Sequence, residues 1–255
     1  MGAYFQAEKL KNRHTFLWGL TILMPLVCSF LSAQLTHRYF AMDGYNWWYM
    51  MIMPGFLTIT CGLVGGKDLK KQNRTIGSLP ADMGKIWDAK VLLCAVASGM
   101  ATLALTAFVF FGTLLLKDGL HMVFINPPSF GNQILAAVLI WITSLWQLPF
   151  CLFLTQKTGV LPAAVLNLAA GQIVGPLASL KVWFFLIPYG ITPRVMCPVI
   201  KTLPNGLVAE PGQLTYTDAL MNPFMAVAGA AVSLLWFVLI WYLGRKWYRK
   251  KVELG

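Results

Sequence analysis

The chain has 255 residues, of which 58% are hydrophobic and 11% are charged, and its mean hydropathy is +0.65. A soluble domain is usually about half apolar and about one quarter charged, so this composition argues against a water-soluble protein. The formal charge of +11 does not indicate a nucleic-acid partner, because the basic residues are spread between apolar segments.

The chain begins with a short charged segment, residues 3–15, with helical spacing. Glu8 lies one turn before Lys11 and Asn12, so its side chain can pair with either. We predict an interfacial helix over residues 1–15 that lies along the membrane surface. The alternative is a frayed basic flank that only orients the first span.

Six apolar blocks follow, each of about 20 residues, the length that a helix needs to cross a hydrocarbon core of about 30 Å. None has the alternation of a β-strand. The sequence predicts an all-α membrane protein with six transmembrane helices in a single transmembrane domain, residues 1–255. The predicted spans are residues 16–35, 47–64, 91–116, 134–154, 160–180 and 223–243.

Aromatic residues open the second span, where residues 45–49 read YNWWY. Rings with one polar edge are enriched where a membrane meets water. We therefore predict Tyr45, Trp47 and Trp48 at such an interface. They form either a belt that only fixes the helix or a group that also captures an amphipathic substrate.

The loop 65–90 is the most informative connection between spans. It is basic at first and then has apolar residues at helical spacing, with Pro80 suited to a first turn. The residues with this spacing are Leu79, Met83, Ile86 and Lys90. We predict a helix that runs into the third span. It either docks on a partner protein or lies on the lipid surface with Trp87 at the interface.

The long segment 181–222 contains two short apolar pieces, residues 182–189 and 195–203, which prolines interrupt. Neither piece is long enough to cross a bilayer. We expect both to enter the outer leaflet and return, so that the segment is a re-entrant element between the fifth and sixth helices.

Lysine and arginine are distributed unequally between the two sides of the predicted bundle. Fifteen of the 20 lie on the side of the chain ends, and the others are Arg38, Lys117, Lys181, Arg194 and Lys201. The richer side is expected to face the cytoplasm, so both termini are predicted to be cytoplasmic.

Groups suited to catalysis or metal binding are scarce in the predicted spans. No acidic residue lies centrally in a span, no catalytic motif occurs, and Gly66-Lys67 lacks the pattern of a phosphate-binding loop. The five cysteines are not spaced as metal ligands and are interpreted as small apolar residues. We therefore expect no enzyme activity, metal or cofactor in this chain.

Gln147, Asn167 and Gln172 are interpreted as interhelical hydrogen-bonding groups, with a path for an amphipathic substrate as the alternative.

Four groups of residues indicate a protein family when they are taken together. Each group alone is a weak signal, but their order within a chain of six predicted spans is specific. They are residues 7–11 (AEKLK) with 13–16 (RHTF), residues 45–49 with Pro54, residues 79–80 with Lys85, Trp87 and 89–90, and residues 187–188 with Arg194, Met196, Pro198 and 204–207 (PNGL). In these features, and along nearly its whole length, the chain resembles the E-type permease subunits of lantibiotic-immunity ABC transporters of the ABC-2 exporter family.

The resemblance implies a permease of the bacterial plasma membrane that assembles with a second permease and two copies of a separate ATPase, which binds the ATP. Such a complex expels a lantibiotic peptide from the cell membrane and gives self-immunity or resistance. The implied ATPase-docking residues are Glu8, Lys11, Leu79, Pro80, Met83, Ile86, Trp87 and Lys90, in segments 1–15 and 65–90. The implied substrate-capture residues are Tyr45, Trp47, Trp48, Arg194 and Asn205.

Two other functions remain open from the sequence. The same architecture can export another amphipathic antibiotic or a lipid. Alternatively, the chain is a non-transporting immunity or scaffold protein that sequesters the peptide in the membrane, in which case immunity would not require an ATPase.

Overall fold

The computed structural model describes residues 1–69 and 81–253, and this part of the chain is all-helical. Two π-helical segments, Trp48–Ile52 and Ala170–Val174, join α3 to α4 and α8 to α9. The helices of the described residues are α1 (Gly2–Lys11), α2 (Leu17–Thr36), α3 (Phe40–Trp47), α4 (Met53–Leu69), α5 (Met83–Leu120), α6 (Phe130–Ser144), α7 (Gln147–Thr158), α8 (Val160–Ala169), α9 (Gly175–Ser179), α10 (Ile191–Ile200) and α11 (Phe224–Glu253).

Several helical runs are long and apolar enough to cross a membrane. Within the described residues these number four, or five if the bent pair α6–α7 forms one span. The four are Leu17–Leu69, Met83–Gly119, Val160–Ser179 and Phe224–Val252. The prediction of an all-helical fold with apolar helices of membrane-spanning length is confirmed, and the number of six spans stays a prediction.

The N-terminal helix and the helix before the third span are both present. α1 covers most of the predicted segment 1–15, and α5 continues without interruption through the predicted third span. Pro80, predicted in the first turn, lies outside the described residues. The described helix begins at Met83, after Asp82, which is extended (ψ 110°) and caps it. The Asp82 side chain accepts a hydrogen bond from the Gly84 amide at 2.8 Å, which satisfies an amide that has no partner within the helix.

The polar stretch after the first span is mostly helical. His37, at φ 39°, ends α2 and begins a short 3₁₀ turn that leads into α3. α3 then lies beside α2, and Ser32 Oγ donates to the Phe40 carbonyl at 2.8 Å. Cys28 Sγ also donates, to the Gly44 carbonyl at 3.3 Å. The chain therefore folds back on itself after α2.

The predicted fourth span is broken. α6 and α7 meet at an angle of 44° across a turn at Leu145 and Trp146. Pro149 has no N–H, so the Leu145 carbonyl lacks its usual helical donor. The Leu148 amide donates to that carbonyl instead, at 3.1 Å. The break thus follows from the proline.

The two π-helical segments pack against each other around a second proline. Pro54 leaves the Met50 carbonyl without a helical donor, and Gln172 Nε2 supplies one at 2.6 Å. The backbones approach closely here, since a Cβ on Gly171 would lie 3.3 Å from Pro54 Cγ. The prediction that Gln172 forms an interhelical hydrogen bond is confirmed.

The segment between α9 and α11 is compact. Its main element, α10, has ten residues and is about 15 Å long, which is too short to cross a bilayer, as predicted for this segment. Thr143 of α6 connects it to α11, because Thr192 donates to the Thr143 hydroxyl at 2.9 Å and Ser233 donates to the Thr143 carbonyl at 2.9 Å. Its depth in a membrane stays a prediction.

Candidate functional site

The site lies at the end of the bundle where α1, the last turn of α4, the first turns of α5 and the last turns of α11 meet. We call it the basic end. Its centre is a charge cluster formed by Glu8, Lys11, Asp68 and Lys90. Most of the predicted docking residues belong to these elements.

Lys90 is the central member of the charge cluster and is fully buried. Its ammonium group donates to Glu8 Oε1 at 3.1 Å, to the Val64 carbonyl at 3.4 Å and to Asp68 Oδ2. These three acceptors match the three N–H groups of a lysine. Because a buried charge is tolerated only when it is paired, Lys90 requires α1 and α4 to remain in place beside α5.

Lys11 completes the charge cluster from α1. It forms ion pairs with Asp68 and, at 3.4 Å, with Glu8, for which Lys11 was one of two predicted partners. Burial and the nearby Lys90 charge lower the pKa of Lys11, and the two carboxylates oppose that change. Lys67 also donates to the Lys11 carbonyl. Two lysines and two carboxylates leave the cluster without formal net charge.

α11 is attached to α5 by a second set of polar contacts. Asp88 accepts from Trp241 Nε1 at 2.9 Å and from Arg245 Nε at 3.1 Å. Six residues before Asp88, at the N-cap of α5, Asp82 accepts a hydrogen bond from Arg249 at 2.8 Å. The hydrogen bond from Arg249 is the main reason that the pKa of Asp82 lies below its ordinary value. The carboxylate that caps α5 is therefore also a contact with α11.

An aromatic cluster lies between these polar contacts. The Trp87 ring is 5.4 Å from the ring of Tyr248 and 6.4 Å from that of Trp247. Trp87 fits because Gly244 faces it, where a Cβ would lie 2.5 Å from the indole. Lys157 and Lys251 lie over the Trp247 ring at 5.5 and 5.1 Å, which brings α7 into the same group.

These contacts change the interpretation of the predicted docking residues. Ile86, Trp87 and Lys90 are buried by the chain's own helices, so in this structure they offer no surface to a partner. Their spacing is helical as predicted, but α1 and α11 cover the face that they share. Met83 is partly buried against the core. Leu79 and Pro80 lie outside the described residues.

The sequence interpretation missed Asp68, Asp88, Gly244 and Tyr248. The composition carries a signal for the acidic residues, because the chain has nine Asp and Glu against 20 Lys and Arg. In a membrane protein so poor in acids, those next to the spans are candidates for pairing with buried lysines. Gly244 and Tyr248 carry no comparable signal.

The residues predicted to capture a substrate are not gathered in one place. Tyr45 and Trp48 are fully buried, and Trp48 Nε1 donates to Thr102 at 3.3 Å, so neither lies at the outside of the bundle. Arg194 is buried and donates to the Ser179 and Ala219 carbonyls at 3.3 and 2.9 Å. Trp47 is half-buried, and Asn205 is exposed in the segment before α11. Burial of Tyr45 and Trp48 contradicts their placement in an interfacial belt.

A polar group in the middle of the bundle has a packing role. Asn167 Nδ2 donates to the Pro54 carbonyl at 2.9 Å and to Thr58 at 3.0 Å. It is also 3.2 Å from Gln147 Oε1, while the Tyr189 hydroxyl donates to Asn167 Oδ1 at 2.6 Å. The group joins α4, α7 and α8, which confirms the predicted hydrogen bonding between helices.

No group of three or more His, Cys, Asp or Glu side chains within residues 1–69 and 81–253 is arranged to hold a metal ion. The five cysteines are unpaired and buried. Comparisons with protein-family models, curated proteins and solved structures find no match to this chain. Its class is therefore defined by the structure, as an all-helical protein with helical runs suited to a membrane and charged contacts at one end.

Proposed function

We propose that this chain is the transmembrane subunit of an ATP-driven ABC exporter that removes a lantibiotic-type peptide from the membrane of a bacterial cell. The main observation in support of the proposal is the length and continuity of α5. It is a single helix of 38 residues that starts inside the basic end. Its length is about 57 Å, so it reaches well beyond a hydrocarbon core of about 30 Å.

The proposed architecture has six passes of the membrane. The run Leu17–Leu69 contains 53 residues, or about 80 Å of helix, which is more than twice what one crossing needs. The fold-back at His37 divides it into two passes, α2 and α3–α4. With α5, the bent pair α6–α7, α8–α9 and α11, the total is six, and both chain ends lie on the same side.

The basic end is proposed to face the cytoplasm. It holds both chain ends and most of the lysines and arginines, which is the arrangement that the positive-inside rule describes. The opposite end contains the 181–222 segment, where Asn126 Nδ2 donates to Glu210 at 3.0 Å. That segment is the proposed re-entrant outer element of an ABC-2 exporter.

The charge and aromatic clusters suit the transmission of movement. They join α1, α4, α5 and α11 through buried ion pairs and ring contacts, so a force on the surface of this end would move the helices together. We propose that two copies of a separate ATPase bind this surface. The exposed Lys85 and the half-buried Met83 are the contact residues within the described part of α5. A second permease completes the complex.

The test compares peptide tolerance in three strains. The strain that carries this chain and its ATPase should tolerate the lantibiotic, and deletion of this chain should abolish tolerance. A strain whose ATPase is inactive in ATP hydrolysis should be as sensitive as the deletion. Full tolerance with the inactive ATPase would contradict the exporter and favour sequestration of the peptide. Tolerance confined to a different amphipathic antibiotic, in a panel that includes several, would keep the exporter and change its substrate.

A further inference from the structure

The two faces of α1 differ in their contacts. One face carries Glu8 and Lys11, which are held in the charge cluster. The other face carries Gln6 and Lys9, and the turn after the helix continues it to Arg13. These three side chains are exposed, and their spacing of three and four residues places them on the same side.

A cavity of about 450 Å³ lies between this exposed face and the first turn of α2. Its volume falls within the range of about 300–1,000 Å³ that is usual for small-ligand sites. Leu10, which is 66% exposed, and the half-buried Trp18 supply apolar surface. The cavity is lined by Gln6, Lys9, Leu10, Arg13 and Trp18.

The cavity has two positive charges and no lining carboxylate. Within the described part of the chain, the side chains of Lys9 and Arg13 form neither an ion pair nor a hydrogen bond. This differs from Lys11 and Lys90 on the buried side, each of which is paired. Two unpaired cations beside apolar surface suit a phosphate group that is attached to an apolar chain, because charged N–H groups bind phosphate oxygens strongly.

We propose that this cavity binds the headgroup of an anionic phospholipid. Lys9 and Arg13 contact the phosphate, Gln6 hydrogen-bonds the polar headgroup, and Leu10 and Trp18 contact the start of the acyl chains. The first apolar residues of α2 begin immediately beyond the cavity, so the site lies at the depth where headgroups meet hydrocarbon. That position distinguishes a lipid from a free phosphate ion and from an acidic segment of a partner protein. The proposal requires that α2 enters a membrane, and it does not depend on the exporter function.

The test measures lipid binding to the full chain after removal of lipid in a neutral detergent. Dioleoyl-phosphatidylglycerol and dioleoyl-phosphatidylcholine are titrated separately, and bound lipid is counted by native mass spectrometry. Each basic residue near an anionic lipid contributes a factor of about five in affinity, so the variant Lys9→Gln/Arg13→Gln should bind phosphatidylglycerol roughly 25-fold more weakly. Phosphatidylcholine should bind weakly to both proteins.

The matched control is Lys246→Gln/Lys250→Gln, which also removes two exposed lysines four residues apart at the basic end. It should bind phosphatidylglycerol as the unchanged chain does, and Lys9→Arg/Arg13→Lys should retain binding. Equal losses in the two glutamine variants, or no loss in Lys9→Gln/Arg13→Gln, would overturn the site. Displacement of the lipid by millimolar inorganic phosphate would show that the cavity binds free anions and would overturn the lipid assignment.

A measurement on the unchanged chain tests the site without the risk that a variant misfolds. In nanodiscs, phosphatidylglycerol should slow amide hydrogen exchange at residues 9–13 relative to phosphatidylcholine, whereas exchange at residues 246–250 should not respond. Equal exchange at residues 9–13 in the two lipids would contradict the proposal.

Discussion

At the scale of single residues, the lysines at the basic end have two opposite environments. Lys9 is exposed and unpaired among the described residues, whereas Lys11 and Lys90 are paired with Glu8 and Asp68. A buried lysine without partners would not keep its charge. The paired lysines therefore define contacts between helices, and the unpaired ones remain available for ligands.

Replacement of Lys90 by methionine should destabilise the protein strongly. It leaves Glu8 and Asp68 buried with Lys11 as their remaining cation, and removal of one partner from a buried pair costs about 3–5 kcal/mol. Thermal unfolding in detergent should show a lowered midpoint, and amide exchange should accelerate over α1. The control is Lys85→Met, at an exposed position on the same helix. A Lys90→Met variant with unchanged exchange in α1 would contradict the role of the charge cluster.

Replacement of Gly244 by alanine should separate α11 from α5. The new Cβ would lie 2.5 Å from Cζ2 of the Trp87 ring, a ring that is fully buried, and overpacking of this kind costs about 1–3 kcal/mol. The matched control is Gly66→Ala in α4, where no described residue lies within 4 Å of the added Cβ. That change should stabilise by about 0.5–1 kcal/mol, because alanine favours a helix more than glycine does. Equal effects of the two changes on the unfolding midpoint would argue against a close contact at Gly244.

At the scale of helices, prolines leave backbone carbonyls without their helical donors, and other groups of the chain supply the missing hydrogen bonds. The pair Pro54 and Gln172 is one instance, since Gln172 donates to the carbonyl that Pro54 leaves free. Pro149 is another, but there a neighbouring backbone amide makes the contact. Helices with breaks of this kind are stable in a membrane only where such partners exist.

The variant Gln172→Leu should therefore be less stable by about 1 kcal/mol, the usual value of an interhelical hydrogen bond in a membrane. Its control is Gln34→Leu, the same change at an exposed position of α2. Thermal unfolding in the same detergent compares the two. A larger loss of stability for Gln34→Leu than for Gln172→Leu would contradict the proposed repair of the Met50 carbonyl.

The spans were predictable because long apolar blocks and interrupting prolines are local properties of the sequence. The apolar helices α5 and α11 illustrate this. The burial of Trp87 and Lys90 was not predictable, because the groups that cover them are far away in the chain. Lys90 is 82 residues from Glu8, and Trp87 is covered from α11. An amphipathic helix looks the same in sequence whether its apolar face meets a partner, a lipid or its own chain.

At the scale of the whole molecule, the proposed topology gives the chain a definite orientation in the membrane. A cysteine introduced as Gln213→Cys, which is exposed in the segment between α10 and α11, should react with a membrane-impermeant maleimide in intact cells. A cysteine introduced as Lys246→Cys at the basic end should react only after the cells are permeabilised. The five native cysteines are buried and should give a low background. The reverse pattern of labelling would invert the proposed topology.

The central claim is that this chain works as the permease of an ATP-driven exporter, and its most direct test is the composition of the native complex. The tagged chain is purified from its own cells in a mild detergent that preserves known ABC complexes, and the proteins that accompany it are identified and counted. We expect two copies of an ABC ATPase and a second permease. Recovery of the chain without an ATPase under those conditions would contradict the exporter and favour a protein that sequesters its peptide.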